Sequence, residues 1–218
     1  LLVAAGSAHA GGFYVPEIGT RAAGMSAAVV ADPHDPSAIF HNPAGMVDIE
    51  GLELELSGTA FLPRLEYFRR PLIDPNTNQE LRFDGIKNTN RIAPAAFFGA
   101  VHDLGSDKLR AGIAVSVPFG AIIEYPKDGS QRMIVTSVDL KAIHVSPAVA
   151  YKINDRIRVG AALNYVFAEL KLKQANSSDY VLFDPENFPD PDASSSGDTA
   201  LSGHDAFSLS ATLGAIYV

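Results

Sequence analysis

The 218-residue sequence contains no cysteine, which excludes a disulfide framework and any metal site built on thiolates. It also has no excess of positive charge. With 17 Lys and Arg against 25 Asp and Glu, the net charge is −8, which argues against nucleic-acid binding. No window approaches the ~18 consecutive apolar residues of a membrane-spanning helix. This does not exclude strands that cross a membrane, because the strands of a barrel carry their apolar residues in alternation and not in one continuous run.

Catalytic and metal-binding motifs are also missing. The chain has no G-x-S-x-G, no H-E-x-x-H and no glycine loop of the kind that cradles phosphate. His34, Asp35 and His41 lie close together, but two histidines and a carboxylate without defined spacing are weak evidence for a metal site. We therefore expect a protein that is not an enzyme and that has no cofactor and no bound metal.

The first ten residues, "LLVAAGSAHA", have the pattern of the end of a secretory signal. Residues 1–5 correspond to the end of the apolar region, and Ala8-His9-Ala10 fits the A-x-A cleavage pattern. We expect residues 1–10 to be a signal-peptide remnant, truncated at its start. The mature chain would then begin at Gly11 and be exported.

Residues 11–50 do not have the pattern of strands. "TRAAGMSAAVVA" is rich in small residues, and Thr20 can cap a short helix. Asp35 followed by Pro36 predicts a second helix start, which the turn "NPAG" ends. The segment has too few large apolar residues for a core of its own, so we expect it to pack inside something else.

From Leu52 onward the apolar residues follow a period of two, as in strands. Two of the connections are short, and "DASSSGDTALSG" (192–203) in one of the long ones predicts a mobile loop. Alternating short and long connections are typical of an outer-membrane barrel. Six runs are visible: 52–68, 91–103, 109–125, 133–153, 156–173 and 205–218.

The face on which the apolar residues lie, and the point where that face changes, are more informative than the alternation itself. In run 109–125 one face stays apolar throughout, from Leu109 to Ile123. In runs 52–68, 133–153 and 156–173 the apolar face becomes charged near a long connection, while the opposite face becomes apolar. A membrane explains this switch, since the outer wall meets headgroups and water above the lipid. The alternative is a β-bulge in each strand. The membrane interpretation predicts an apolar inner lining made by Leu65, Tyr67, Val138, Leu140, Leu170 and Leu172.

Several stretches in order carry a family resemblance: "GGFYVPEIGTRAAGMSAAVVADPHDPSAIFHNPAGM", "AGIAVSVPFGAIIEYP", "LKAIHVSPAVAYKINDRIRVGAALNYVFAELKL" and "GHDAFSLSATLGAIYV". Together they resemble the FadL/TodX family of outer-membrane transporters for long-chain fatty acids and hydrocarbons. The resemblance implies an all-β fold, a fourteen-stranded antiparallel transmembrane β-barrel with a small N-terminal helical hatch. Residues 11–50 would be the hatch and residues 51–218 the first strands, about half of the barrel, with the others beyond Val218.

The resemblance also implies a gate. In the family an inward kink of the third strand opens a lateral gap next to the hatch. Here the kink would be at Pro118, Phe119 and Gly120, because a proline deletes a ladder hydrogen bond. We expect the turn Asn42, Pro43, Ala44 and Gly45 to pack against this kink. The alternative is an ordinary helix-ending turn and an edge-strand proline.

Ligand contacts follow partly from the resemblance, which matches Phe13 to an aromatic residue that reaches the binding pocket. Lys173 lies nearest to where the family offers a base for a carboxylate, although its face points outward and Gln174 points inward. Glu53 and Glu55 face the lumen and either anchor the hatch or form an ordinary polar strand face.

The sequence therefore predicts a bacterial outer-membrane channel for passive uptake of hydrophobic compounds, with lateral release through the third strand. Its partners would be the hydrophobic substrate, outer-membrane lipid and lipopolysaccharide, without nucleic acid, and the protein would be a monomer. A general porin, a membrane-embedded hydrolase and a soluble exported β-sandwich binding protein remain as alternatives. The choice between fatty acid and aromatic hydrocarbon stays open.

Overall fold

The computed structural model describes residues 14–73, 77–89, 91–127, 129–177 and 196–218. The predicted signal remnant, residues 1–10, lies outside the described residues. The strands are β1 Leu52–Phe61, β2 Glu66–Tyr67, β3 Leu72–Ile73, β4 Glu80–Leu81, β5 Ile86–Lys87, β6 Ala93–His102, β7 Leu109–Glu124, β8 Ser137–Lys152, β9 Ile157–Ser177 and β10 Ser196–Tyr217. Six of them form an antiparallel sheet in the order β1-β6-β7-β8-β9-β10, and two small ribbons pair β2 with β5 and β3 with β4.

The six predicted runs correspond to the six strands of the large sheet, with differences at their ends. The run 52–68 is not one strand: β1 ends at Phe61, shortly before Pro63 removes a backbone donor, and Glu66–Tyr67 pairs with β5 instead. The predicted loop at 192–203 is wrong where the structure describes it. Residues 196–203 continue β10, because β9 extends equally far and supplies the partner backbone groups.

The N-terminal segment, residues 14–50, contains three short helices. They are α1 Thr20–Gly24, α2 Ala38–His41 and a 3-10 helix, Pro43–Asp48, none of them long enough to cross a membrane. Gly19, with φ 93°, is the N-cap of α1 in place of the predicted Thr20. The predicted helix start, with Asp35 as N-cap and Pro36 as first residue, is wrong by two residues: α2 begins at Ala38 with Ser37 as its N-cap. Asp35 Oδ1 accepts a hydrogen bond from the Ser37 amide at 2.9 Å. Asn42 ends α2 and also caps the 3-10 helix.

The N-terminal segment packs against one face of the large sheet, named here the covered face. The strands contribute mostly alanine to this contact, so that the segment approaches the sheet closely. The shared core comprises Val15, Ile18, Ala38, Ile39, Met46, Val47 and Ile49 from the segment and Phe97, Val101, Ala114, Ala148, Ala150 and Ala162 from the sheet. The opposite face exposes large apolar residues such as Leu54, Leu56 and Leu213, as expected for a surface that meets lipid.

Candidate functional site: an opening in the sheet

The hydrogen-bond ladder between β6 and β7 stops part-way along both strands. Its last pair is Phe97 with Ser116. The ladder between β1 and β6 continues to Ala93, and the ladder between β7 and β8 continues to Glu124. Residues 93–96 of β6 therefore have no partner on β7. This gap is named here the wall opening.

A β-bulge in β7 lies where the ladder stops. Ser116 is opposite His144 and Phe119 is opposite Ala142, so two residues of β7 face a single residue of β8. A bulge exchanges the faces of the residues that follow it. The prediction that one face of this strand stays apolar from Leu109 to Ile123 is therefore wrong: Ala121 and Ile123 turn to the covered face and are only 5% and 6% exposed.

Two prolines border the wall opening. The Asp103 amide bonds to the Gly51 carbonyl, so by alternation the even-numbered residues of β6, including Pro94, direct their backbone groups toward β7. Pro118 directs its carbonyl to the same gap from the other side. Because proline has no N–H, both strands lack a donor where the ladder would have continued. Sequence reasoning identified Pro118 but missed Pro94, although a proline inside run 91–103 was visible.

The start of the N-terminal segment fills part of the gap. The Val15 amide donates a hydrogen bond to the Pro118 carbonyl at 2.8 Å, and Tyr14 forms an isolated bridge with Phe119, their ring centroids 5.2 Å apart. Burial raises the pKa of the Tyr14 phenol, and the Glu17 carboxylate adds to this shift, so the phenol stays neutral. At the far end, the Thr89 amide bonds to the Glu124 carbonyl at 2.7 Å and bounds the opening.

A cavity of about 360 Å³ lies in the wall opening. This volume is within the usual range of small-molecule sites, roughly 300–1,000 Å³. Apolar side chains dominate its lining, and among the described lining residues Glu17 alone carries a formal charge. The cavity is lined by Tyr14, Val15, Glu17, Phe61, Leu62, Pro63, Leu65, Ala93, Gly120, Ala121, Ile122 and Ile123.

The predicted apolar lining of β8 and β9 lies on the covered face. Leu140 is opposite Leu170 and Val138 is opposite Leu172, in a β8–β9 ladder without a register shift. Directly opposed residues share a face, and these pairs are in phase with Ala148 and Ala162 of the core. The bulge alternative is therefore wrong for β8 and β9. Contact with a ligand remains a prediction.

Other predicted ligand contacts have different positions. Tyr67 packs with Val138 and Leu140 against a second apolar cluster, made by Ala121, Ile123 and Tyr125. Leu65 lines the cavity. Lys173 alternates with Leu172 and so lies on the opposite face, exposed, which confirms the outward direction of its side chain. Phe13 lies outside the described residues.

The prediction that residues 42–45 pack against the kink is wrong. Asn42 Nδ2 donates to the Ala215 carbonyl at 3.4 Å, and a Cβ atom on Gly160 would lie 2.4 Å from the Pro43 carbonyl carbon. The turn therefore contacts β9 and β10 where they lack side chains. Across the sheet, Gly160 is level with Arg110 of β7, because both pair with Ala150. Pro118 lies eight residues beyond Arg110 along β7, so about 26 Å of strand, at ~3.3 Å per residue, separates it from the level of the turn.

Polar contacts also attach the N-terminal segment to the sheet. Glu55 Oε1 accepts a hydrogen bond from the Thr20 amide at 2.9 Å, which supports the anchoring alternative for that carboxylate. Arg110 is buried and donates to the Ile49 carbonyl, and Arg158 pairs with Asp48. Among the described residues, no group of three or more His, Cys, Asp or Glu side chains is arranged to hold a metal.

A family model described as "Outer membrane protein transport protein (OMPP1/FadL/TodX)" matches residues 1–218. The chain belongs to this family. Outer membrane protein P1 of Haemophilus influenzae is 24% identical over 184 residues, which are 80% of this chain and 40% of that protein. NMB0088 of Neisseria meningitidis serogroup B, whose name describes a candidate outer membrane protein, is 31% identical over 129 residues, 59% of this chain and 27% of that one.

The fold also has a solved counterpart. The crystal structure of a Pseudomonas aeruginosa FadL homologue matches with a TM-score of 0.70 and 21% identity, over 94% of this chain and 49% of that chain. The chain thus spans less than half the length of each of these relatives, and its open sheet is part of the family's β-barrel. The family comprises outer-membrane transport proteins and not enzymes, so the soluble sandwich and the membrane-embedded hydrolase are wrong.

Proposed function

We propose that the chain is part of a channel for passive uptake of hydrophobic compounds, long-chain fatty acids or aromatic hydrocarbons, and that these leave sideways through the wall opening. The observation that carries this proposal is the early end of the β6–β7 ladder beside an apolar cavity. A molecule that leaves through the wall enters lipid without crossing water, which avoids the free-energy cost of hydrating its apolar surface.

The apolar residues of the covered face supply the proposed access path. Leu170 and Leu172 lie beyond the part of β9 that packs against the N-terminal segment, and Val138 and Leu140 connect them to the cluster beside the cavity. Leu65 then lines the cavity itself. A general porin would keep a polar mouth and an open lumen. Apolar side chains at this height and a segment across the sheet favour the transporter.

The N-terminal segment has the proposed role of a hatch. Asn42, Pro43 and Ala44 hold it against the wall, Gly45 packs closely on Pro33 within the segment, and Tyr14 with Val15 holds its start at the opening. Phe13, next to Tyr14 in the chain, would touch the passing molecule. Lys173 is left out of the path because it lies on the opposite face. We also propose that the exposed apolar face contacts membrane lipid and that the protein acts as a monomer, with lipopolysaccharide around its outer end.

Closing the wall opening in the full-length protein tests the proposal. Pro118→Val with Gly120→Val supplies a donor and two β-branched residues where the ladder is broken. In a host without its own transporter, uptake of radiolabelled oleate and toluene should fall severalfold while the yield of folded barrel is kept. Pro147→Val is the matched control, because Pro147 lies in β8 where the register is continuous. Unchanged uptake in the double variant would contradict a lateral route.

A further inference from the structure

The charges around the wall opening do not cancel. Arg91 Nε lies 2.6 Å from Glu124 Oε2, so these two residues at the far end of the opening form a pair with no net charge. Glu17 lines the cavity, and within the described residues no ion pair includes it. One carboxylate without an ion-pair partner therefore faces the cavity, and the other described residues of its lining are neutral.

Three lysines of β8 and β9 that could receive a substrate carboxylate lie on the opposite face of the sheet. Lys173 is exposed on the opposite face of β9. Lys171 pairs with Glu169 at 2.6 Å and Lys141 pairs with Asp139 at 3.1 Å, on that same outer face. Within the part of the chain that the structure describes, no Lys, Arg or His side chain lines the cavity. A substrate anion in the opening would meet a like charge beside an apolar lining, and the two charges repel each other.

We propose that the wall opening selects neutral hydrophobic compounds, such as hydrocarbons and long-chain alcohols, over carboxylate anions, and that Glu17 is the residue that selects. This inference rests on the proposed lateral route. A long-chain molecule has a single polar end, and that end must pass Glu17 whether it enters the opening first or last. The discrimination arises because Glu17 repels the carboxylate anion, and it does not require Glu17 to bind the neutral compound more tightly.

A matched pair of substrates tests the selection. Oleate and oleyl alcohol have the same hydrocarbon chain and differ in the charge of one end. Initial uptake of each radiolabelled compound is measured with the full-length protein in a host without its own transporter, normalised to folded barrel. Wild type should take up the alcohol about tenfold faster than oleate, and Glu17→Gln should raise the oleate-to-alcohol ratio about fivefold. Glu17→Lys should raise it further.

Glu50→Gln is the control, because Glu50 is exposed in the same segment and lies outside the cavity lining. It should leave the ratio as in wild type. Equal rates for both compounds in wild type, or the same ratio in wild type and Glu17→Gln, would overturn the selection. Failure of the lateral route is a different result: the Pro118→Val, Gly120→Val variant would then take up both compounds as fast as wild type does.

Discussion

The Pro118 carbonyl accepts a hydrogen bond from the Val15 amide at 2.8 Å, although the two residues lie on different parts of the fold. In an unbroken sheet, a residue of β6 would occupy that place. The N-terminal segment therefore satisfies a backbone group that the broken ladder leaves free, and an unsatisfied group of this kind costs about 1–3 kcal/mol when buried. The wall opening is thus bordered by β6, β7 and the segment, with Thr89 at its far end.

Pro94 should matter for the opening as much as Pro118. Pro94→Val adds an N–H that points toward β7, so we expect the ladder to extend and the opening to narrow. Uptake of oleyl alcohol by the full-length protein should fall severalfold, and further when Pro118→Val is added. The yield of folded barrel, measured by its heat-dependent gel mobility, should be unchanged. Wild-type uptake in the Pro94 variant would mean that this proline does not shape the gap.

Gly160 and Gly214 should be intolerant of side chains. A Cβ on Gly160 would lie 2.4 Å from the Pro43 carbonyl carbon, and one on Gly214 would lie 2.0 Å from Asn42 Oδ1. Gly160→Ala and Gly214→Ala should displace the turn at Asn42 and cost about 1–3 kcal/mol, as overpacking typically does. Protease cleavage within residues 14–50 should become faster.

Gly203→Ala is the matched control for these substitutions. Gly203 lies on the same strand as Gly214, but a Cβ there would meet nothing within 4 Å. Its cleavage rate should equal that of wild type. If all three variants were cleaved alike, the close approach of the turn to the wall would not hold the segment in place.

Asp103 should titrate below the ordinary range of aspartate. Its carboxylate accepts hydrogen bonds from the Gly105 and Gly51 amides, at 2.9 and 2.7 Å, and these bonds lower its pKa. Because the folded-state pKa is depressed, its contribution to stability is complete above the unfolded-state pKa. That contribution is lost as the pH falls through the folded-state pKa.

NMR of the full-length protein in micelles checks this prediction. The Asp103 carboxyl signal should have a midpoint below that of free aspartate, and the Gly51 amide signal should move with the same midpoint. In Asp103→Asn the acid-dependent shift of Gly51 should disappear. A midpoint at or above the ordinary value would contradict the role of the two amide donors.

Alternation predicted the sheet well where each strand has one apolar and one polar face. The covered-face positions of Val138, Leu140, Leu170 and Leu172 were predictable because the β8–β9 register is continuous, so counting by two gives the correct face. The bulge in β7 was not visible, since the residues after Pro118 are apolar on both faces and a change of face leaves no trace in the pattern.

The contacts of Asn42 show the other limit. Local sequence predicted that the turn "NPAG" ends a helix, and it does. Its wall contact is Ala215, 173 residues away, and no spacing rule connects the two. The sequence does contain a glycine at each point of closest approach, Gly160 and Gly214. Their lack of side chains leaves room for the turn, but the two glycines come together only when β9 and β10 pair.

The N-terminal segment contacts both edge strands of the large sheet. The Thr20 amide donates to the Glu55 carboxylate on β1, and the Asn42 side chain donates to the Ala215 carbonyl on β10. These contacts span the full width of six strands. Residues 14–50 therefore link the first strand of the sheet to its last strand across the covered face. We expect the segment to limit how far β1 and β10 can move apart, and so to set the curvature of the four strands between them.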